Sequence, residues 1–145
     1  MDIIEVIKNK KFEVNKFENF IKARDKSKHL CFLTDYTKES LVIHEITTYK
    51  VEGFDAGFGI SSEGDIVNIF NNTEYKGIGE LLLRAAIEKG GCLVDFFATD
   101  KLKGFFESCG FEKYSESPWD NALAPNNWDY SKYGTPSVIY SRLKV

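Results

Sequence analysis

A glycine-containing turn that joins an apolar segment to an amphipathic helix carries the clearest chemical signal in this sequence. The segment runs from Ile69 through Gly77 and Gly79 to Leu81. A helix that starts directly after such a turn leaves its first backbone N–H groups without partners, and its aligned peptide dipoles favour an anion there. Glycine lets a phosphate approach the backbone without obstruction by a Cβ atom. The turn therefore predicts a phosphate-binding site, and a turn that merely needs positive φ is the alternative.

Two common nucleotide-binding signatures do not account for this turn. The sequence contains no Gly-x-x-x-x-Gly-Lys-Ser/Thr, and the third glycine of a dinucleotide fingerprint would fall at Leu82. A kinase-type or Rossmann site is therefore disfavoured.

The charge balance limits which partners fit. The 145 residues carry 19 Lys and Arg against 22 Asp and Glu, which gives a formal net charge of −3. Binding of nucleic acid through phosphate neutralisation needs a basic face, so nucleic acid is disfavoured. A basic cluster between Lys8 and Lys28 keeps a DNA-associated transferase as a third interpretation, and solvated helix faces explain that cluster more simply.

Length and hydropathy indicate a single cytoplasmic domain over residues 1–145. This length suits one domain, and 43% apolar residues supply a core. No apolar run approaches the ~20 residues that span a bilayer, and the opening residues lack the basic region of a signal peptide. The cysteines Cys31, Cys92 and Cys109 have no metal-like spacing and apolar neighbours, so we expect buried free thiols and no metal.

The first half of the chain predicts helices followed by an antiparallel meander. Apolar residues recur at helical spacing at Ile3 to Ile7 and again from Phe17 to Ile21. Short segments rich in β-branched and aromatic residues, broken by turn formers, then predict strands. These are His29–Thr34, Leu41–Tyr49, Phe54–Ser61 and Asp65–Asn71.

The second half alternates helices with strands. A helix over Ile78–Glu88 ends at Gly90-Gly91, and a second helix over Asp100–Cys109 is capped by Thr99 or Asp100. The predicted strands are Cys92–Ala98, covered on both faces, Phe111–Ser115 and Ser137–Leu143. This order predicts an α+β, or mixed α/β, fold with helices against a sheet that is parallel where a helix joins two strands.

The turn and the elements after it resemble the GNAT superfamily of acyl-CoA-dependent N-acyltransferases. That family carries Gln/Arg-x-x-Gly-x-Gly/Ala at its strand-to-helix turn, and residues 74–79 match all but the first position. Asp95, Thr99 and Phe105–Phe111 occupy the places of a second motif. The resemblance covers Phe54 to Tyr114 and the closing strand. The tail from Asn121 to Tyr140 is similar, more narrowly, to small GNAT-like proteins of bacteriophages and prophages.

The resemblance implies an acetyl-CoA-dependent N-acetyltransferase in which a primary amine attacks the thioester directly. Backbone N–H groups of Tyr75, Lys76, Gly77, Ile78 and Gly79 would hold the pyrophosphate. Main-chain groups of Ile69, Phe70 and Asn71 would hold the pantetheine arm in a split between two parallel strands. A homodimer is also implied, although no residue marks an interface.

Two positions depart from the family pattern. Glu74 replaces a neutral or cationic residue close to a polyanion, where a like charge weakens binding. Phe106 stands where the family usually places a Tyr that protonates the leaving thiolate. Both departures keep open the alternative of a catalytically inactive, phage-encoded binding protein directed at a host factor.

The acid–base candidates follow from the same resemblance. Asp95 is the positional match for a base, and Asp65 is a second candidate, with Asp55 and Glu45 on neighbouring strands. Burial could raise a carboxylate pKa to a useful value there, and hydrogen bonding to a nearby turn is the simpler role for each. His44, placed within a predicted strand, is interpreted as a structural histidine.

The long loop between Ser115 and Pro136 is the candidate acceptor-binding segment. Its aromatic and acidic residues could stack on and pair with a basic amine, whether a small molecule or a Lys side chain. Packing over the core is the equally supported alternative. The residues are Trp119, Asp120, Trp128, Asp129 and Tyr130.

Overall fold

A computed structural model describes residues 12–14, 17–27, 33–34, 36–73, 77–125 and 128–144. The strands are β1 (Phe12–Val14), β2 (Thr47–Val51), β3 (Ala56–Ile60), β4 (Ile66–Asn71), β5 (Leu93–Phe97), β6 (Phe111–Ser117) and β7 (Val138–Leu143). The helices are α1 (Phe17–Arg24), α2 (Lys38–Ile43), α3 (Ile78–Glu88), α4 (Asp100–Ser108) and α5 (Tyr130–Tyr133), with a 3-10 turn at Asn121–Leu123.

The described strands form two antiparallel sheets that meet along β4 and β5. One sheet has the order β1-β2-β3-β4, and the other has the order β5-β7-β6. An isolated parallel bridge between Asp65 and Leu93 joins the two sheets. Within the described ranges the β4–β5 pairing does not extend beyond that bridge, so the two parallel strands separate as they run on. The resemblance implies a split between two parallel strands, and β4 and β5 separate in this way beyond their single bridge.

Helix α3 covers one face of β3 and β4 and carries much of the core. It begins at Ile78 behind Gly77, whose φ of 87° places it in the left-handed region, and Gly90 follows its end at φ 101°. Both angles suit glycine because a Cβ atom disfavours them. The residues that α3 buries are Ile78, Leu82, Leu83, Ala85 and Ala86.

Shortening a fully buried side chain of α3 is expected to destabilise the fold strongly. Leu82 is 0% exposed within the main core, so Leu82→Ala removes packed methyl groups and leaves a cavity. We expect a loss of about 2–5 kcal/mol in the free energy of unfolding, measured by urea denaturation. Leu123, which is 79% exposed, provides the control, and Leu123→Ala is expected to change stability by less than ~0.5 kcal/mol. Equal losses in both variants would contradict this placement of the core.

Most predicted elements are confirmed with bounds that differ by one or two residues. The helix over 78–88 is confirmed at both ends, and Thr99 caps α4 by accepting a hydrogen bond from the Leu102 N–H at 3.2 Å. The antiparallel meander is confirmed for β2, β3 and β4. The helix predicted at Ile3 to Ile7 lies outside the described residues, as does most of the strand predicted at His29–Thr34.

The strand predicted over Leu41–Tyr49 is wrong in its first half. That half belongs to α2, which a capping box begins: the Thr37 hydroxyl accepts from the Ser40 N–H at 3.1 Å, and the Ser40 hydroxyl accepts from the Thr37 N–H at 2.7 Å. These paired caps satisfy backbone groups at the helix start and outweigh the β propensity of the residues that follow. Leu41 is buried, and the strand starts only at Thr47.

Two burial predictions also need correction. Cys92 is an exposed free thiol because it lies in the connection before β5, and Cys109 is partly buried; Cys31 lies outside the described residues. Strand β5 is not covered on both faces, since Val94 is buried whereas Asp95 on the opposite face is open to solvent. None of the helices described in this chain is both long and apolar enough to cross a membrane.

Candidate functional site

The turn before α3 presents an open helix start. Gly77 is the exposed N-cap residue, and none of the side chains that the structure describes makes a capping hydrogen bond to the first turn. The side chain of Ile78 is fully buried, so its backbone N–H is the group it can offer a ligand. Among the described residues, a Cβ atom at Gly79 would meet only the Phe105 ring, at 3.7 Å. Of the other predicted pyrophosphate contacts, Tyr75 and Lys76 lie outside the described residues, as does Glu74.

Strand β4 runs along the split, and the side chains at its end make contacts within the protein. The Phe70 ring is buried and meets Phe20 edge to face at 5.4 Å. Ile69 packs against the main core, and the Asn71 side chain accepts a hydrogen bond from the Thr73 N–H at 2.9 Å. The three predicted pantetheine contacts therefore lie on the strand that borders the split.

A cleft of about 410 Å³ opens beside the β4–β5 bridge. Its wall includes residues from β4, β5, α2 and the segment before α2. The structure thereby brings together both carboxylates that the sequence put forward as bases. The titratable side chains in its lining are Tyr36, His44, Glu45, Glu63, Asp65 and Asp95.

The two aspartates differ in how they are held. The Ser61 hydroxyl donates to the Asp65 carboxylate at 3.1 Å and accepts from the Asp65 N–H at 3.0 Å, which fixes Asp65 at the start of β4. Asp95 projects from β5 into the cleft. Although part of its side chain is open to solvent, burial of the carboxylate, helped by the negative charge of Asp65, raises the pKa of Asp95 above its usual value. A carboxylate whose pKa is raised is a stronger base than an ordinary aspartate and is suited to accept a proton.

Tyr36 is a cleft residue that the sequence did not single out. Burial is the main cause that raises the pKa of Tyr36, and the charges of Asp95 and Asp65 raise it further. Its ring meets the His44 ring edge to face at 6.0 Å. The phenol therefore stays neutral beside the two carboxylates.

The predicted roles of His44, Glu45 and Asp55 change with the corrected elements. His44 is exposed at the end of α2 and lines the cleft, because the segment is helical rather than extended. Glu45 lies in the turn that follows, where it accepts a hydrogen bond from the Ser62 hydroxyl at 2.6 Å. Asp55 lies in the turn before β3, away from the cleft lining, and pairs with Lys26 at 3.7 Å.

The rings of the long loop pack on β5. Trp119 and Trp128 lie 5.8 Å and 4.9 Å from the Phe97 ring. Trp128 is 7% exposed, and its indole N–H donates to the Gly134 carbonyl at 2.9 Å. Tyr130 meets Trp119 edge to face. Phe97 is two residues after Asp95 and so shares its face of β5, which places this aromatic cluster next to the cleft along that face.

The carboxylates of the loop close local turns. Asp120 accepts from the Ala122 N–H at 2.9 Å at the start of the 3-10 turn. Asp129 accepts from the Ser131 hydroxyl at 2.7 Å and from the Lys132 N–H at 3.1 Å. The Ser131 hydrogen bond, followed by that of Lys132, lowers the pKa of Asp129. Neither aspartate lines the cleft of Asp65 and Asp95.

Phe106, at the position where the family usually carries a Tyr, belongs to the core. Its ring is 8% exposed and stacks on Phe96 at 4.5 Å. A phenyl ring has no proton to donate, so this position contributes packing to α4 and β5.

The chain has the GNAT fold, and this confirms the fold that the resemblance implies. The narrower resemblance of the tail to phage proteins stays a prediction. No protein-family profile matches the chain, and no curated protein sequence matches it. A Bacillus subtilis acetyltransferase in complex with CoA shares the fold, with a TM-score of 0.60 and 14% identity over 93% of this chain and 97% of the other.

Two further solved structures share this fold. An IAA acetyltransferase from Bacillus cereus has a TM-score of 0.52 and 14% identity over 84% of this chain and 95% of its own. N-acetylglutamate synthase from Neisseria gonorrhoeae, complexed with coenzyme A and N-acetyl-glutamate, has a TM-score of 0.52 and 18% identity over 93% of this chain. This chain spans 35% of the length of that synthase.

Proposed function

We propose that this protein transfers an acetyl group from acetyl-CoA to a primary amine. The observation that carries the proposal is the juxtaposition of a split between β4 and β5 with a cleft that holds Asp95 and Asp65, on a fold shared with a CoA-bound acetyltransferase. Acetyl-CoA, when bound, supplies the acetyl group as an activated thioester.

The residues around the split fit this co-substrate. The start of α3 at Gly77 offers backbone N–H groups and the positive end of a helix dipole to a pyrophosphate. Tyr75, Lys76, Ile78 and Gly79 extend this contact in the proposal. The main chain of Ile69, Phe70 and Asn71 runs beside the split and provides hydrogen-bonding groups for the pantetheine arm.

Asp95 is the proposed base. An amine at neutral pH is an ammonium ion, and it becomes a nucleophile only after it loses one proton. The carboxylate of Asp95 accepts that proton inside the cleft, and the adjacent charge of Asp65 increases its affinity for it. Positioning of the neutral amine against the thioester then supplies much of the remaining rate enhancement. The N–C bond forms as the C–S bond breaks, and the second proton that the amine nitrogen loses goes to the departing thiolate, which leaves as the free thiol.

The acceptor is proposed to be a basic amine. The carboxylates of Glu45, Asp65 and Asp95 line the cleft and favour a cation there. The rings of Trp119, Trp128 and Tyr130 bound the same face of β5, where an aromatic surface can stack on a cationic chain. Asp120 and Asp129 add negative charge to the loop that carries these rings.

Neutralising Asp65 is expected to shift the pH dependence of the reaction. Asp65→Asn removes the like charge that raises the pKa of Asp95, so Asp95 should ionise at lower pH. The acidic limb of kcat/KM against pH is therefore expected to move to lower pH. Asp55→Asn, in a turn outside the cleft, is the matched control, and its acidic limb is expected at the same pH as in the native protein. A limb that is unchanged in Asp65→Asn contradicts the coupling of the two carboxylates.

A thiol-release assay with acetyl-CoA tests the function directly. The acceptors are putrescine, spermidine, lysine and a lysine-containing peptide, with glycine and glutamate as acceptors that carry no extra positive charge. We expect CoA release that depends on the amine, and an acetylated product seen by mass spectrometry. No release with any acceptor contradicts the transferase proposal. Release with glycine or glutamate alone contradicts the basic acceptor and leaves the transferase intact.

A further inference from the structure

Arg24 is a buried cation at the end of α1. Its side chain is 1% exposed, and its guanidinium donates to the Tyr36 carbonyl at 2.9 Å and to the Asn68 side-chain oxygen at 3.1 Å. The Thr34 carbonyl lies 3.4 Å from the same nitrogen, and Asp25 pairs with the other end at 3.0 Å. A buried charge is costly unless it is well partnered, and here the partners include two main-chain carbonyls of one segment, those of Thr34 and Tyr36.

Asn68 completes this arrangement from β4. It is 6% exposed and has a φ of 50°, where the β3–β4 register shifts between Gly57 and Gly59. This irregularity lets Asn68 turn its side chain to the same segment, and its amide N–H donates to the Thr34 carbonyl at 3.0 Å. We call Arg24, Asn68 and the carbonyls of Thr34 and Tyr36 the Arg24 clamp.

The Arg24 clamp ends at a residue of the cleft. The carbonyl of Tyr36 accepts a hydrogen bond from Arg24. Its half-buried ring forms part of the cleft wall, beside Asp95 and Asp65. The backbone of Tyr36 is thus tied to β4, the strand that borders the split. A shift of this backbone would move the phenol relative to both carboxylates.

We propose that Tyr36 contacts the acceptor amine and that Arg24 and Asn68 are positioning residues that act through it. This inference rests on the proposed transferase function. The phenol of Tyr36 is neutral over the working pH range and so orients the amine by hydrogen bonding, while Asp95 takes the proton. Its removal therefore affects acceptor binding rather than acetyl-CoA binding.

A double-mutant cycle tests the clamp. Tyr36→Phe keeps the ring and is expected to raise the KM of the best acceptor in the panel about 3- to 10-fold, the range of one hydrogen bond, with the KM of acetyl-CoA unchanged. Arg24→Lys keeps the charge but loses the forked donors, and it is expected to raise the same KM. Because Arg24 acts through Tyr36, Arg24→Lys should have little further effect in the Tyr36→Phe background.

Two controls separate positioning from folding. Asn68→Gly tolerates the positive φ and removes both side-chain contacts, so it repeats the test should Arg24→Lys fail to fold. Lys22→Met, at an exposed position of α1, is expected to leave all parameters unchanged. Amide hydrogen exchange gives a readout that needs no turnover: the clamp variants should exchange faster over residues 33–36 and not in β7.

The outcomes distinguish the role of Tyr36, the positioning role of Arg24 and the proposed transferase function. Turnover by the native protein with an unchanged acceptor KM in Tyr36→Phe overturns this inference and leaves the transferase function standing. Additive effects of the two substitutions, or unchanged exchange over residues 33–36, overturn the positioning role of Arg24. No turnover by the native protein with any amine overturns the proposed function, and the inference with it.

Discussion

Replacing Asp95 by Asn is expected to lower kcat by about 100- to 10,000-fold, the range that a positioned general base contributes. Asn has the size of Asp but cannot accept the ammonium proton in the cleft. The KM of acetyl-CoA should change little, because Asp95 faces the cleft beside the bridge rather than the start of α3. Steady-state thiol release at saturating acceptor measures the effect.

Two observations would strengthen or defeat this role for Asp95. At alkaline pH, where a fraction of the acceptor is already a neutral amine, the loss in Asp95→Asn should become smaller. Asp55→Asn again serves as the control and should retain native kcat. A kcat within threefold of the native value in Asp95→Asn would remove Asp95 from the mechanism and leave Asp65 as the base to test.

The same substitution is expected to stabilise the fold at neutral pH. The folded-state pKa of Asp95 is raised above its unfolded value, so the ionised carboxylate destabilises the folded state at pH values above the folded pKa. Below the unfolded pKa the group is protonated in both states, and this destabilisation is absent. The Tm of Asp95→Asn should therefore exceed the native Tm at pH 7, and the difference should shrink as the pH falls to 3. A gain in stability on removing a charged group is expected where function requires that group at a position that destabilises the fold.

The sequence predicted the elements whose ends are marked by local chemistry. Helix α3 lies between Gly77 and Gly90, both in the left-handed region, and these glycines mark its ends in the sequence as clearly as in the structure. The helix α2 was missed because its six residues are too few for a helical period to stand out. The sequence marks this helix only at its start, where Thr37 and Ser40 can cap each other's backbone N–H groups.

The sequence could predict only those cleft residues that a single strand–helix–strand unit brings together. Asp65 directly precedes β4, and Asp95 lies within β5 of the β4–α3–β5 unit. A helical crossover returns the chain beside the strand it left, so their meeting follows from topology. Tyr36 reaches the same cleft through a long-range contact that no local pattern reveals. Arg24 in the sequence is one cation among many near the N-terminus, and the structure alone shows that it is buried against Asn68 and two carbonyls.

Replacing Gly77 by Asp is expected to weaken acetyl-CoA binding by at least about 100-fold. An Asp at this position places a carboxylate at the helix start and repels a pyrophosphate, since like charges about 4 Å apart cost roughly 4 kcal/mol near a protein surface. Aspartate tolerates the left-handed φ of Gly77 better than most residues, so the fold should survive. Isothermal titration with acetyl-CoA measures the loss of affinity.

Gly90→Asp is the matched control for charge and backbone strain. Gly90 also has a positive φ, is exposed, and lies just beyond the opposite end of α3, whose 11 residues span about 16 Å. That separation exceeds the Debye length of ~8 Å at physiological ionic strength, so acetyl-CoA affinity should stay native even though a carboxylate at a helix C-terminus destabilises the fold slightly. Equal weakening in both variants would attribute the effect to folding, and native affinity in Gly77→Asp would place the pyrophosphate away from α3. Loss in Gly77→Asp alone assigns the anion site to the start of this helix.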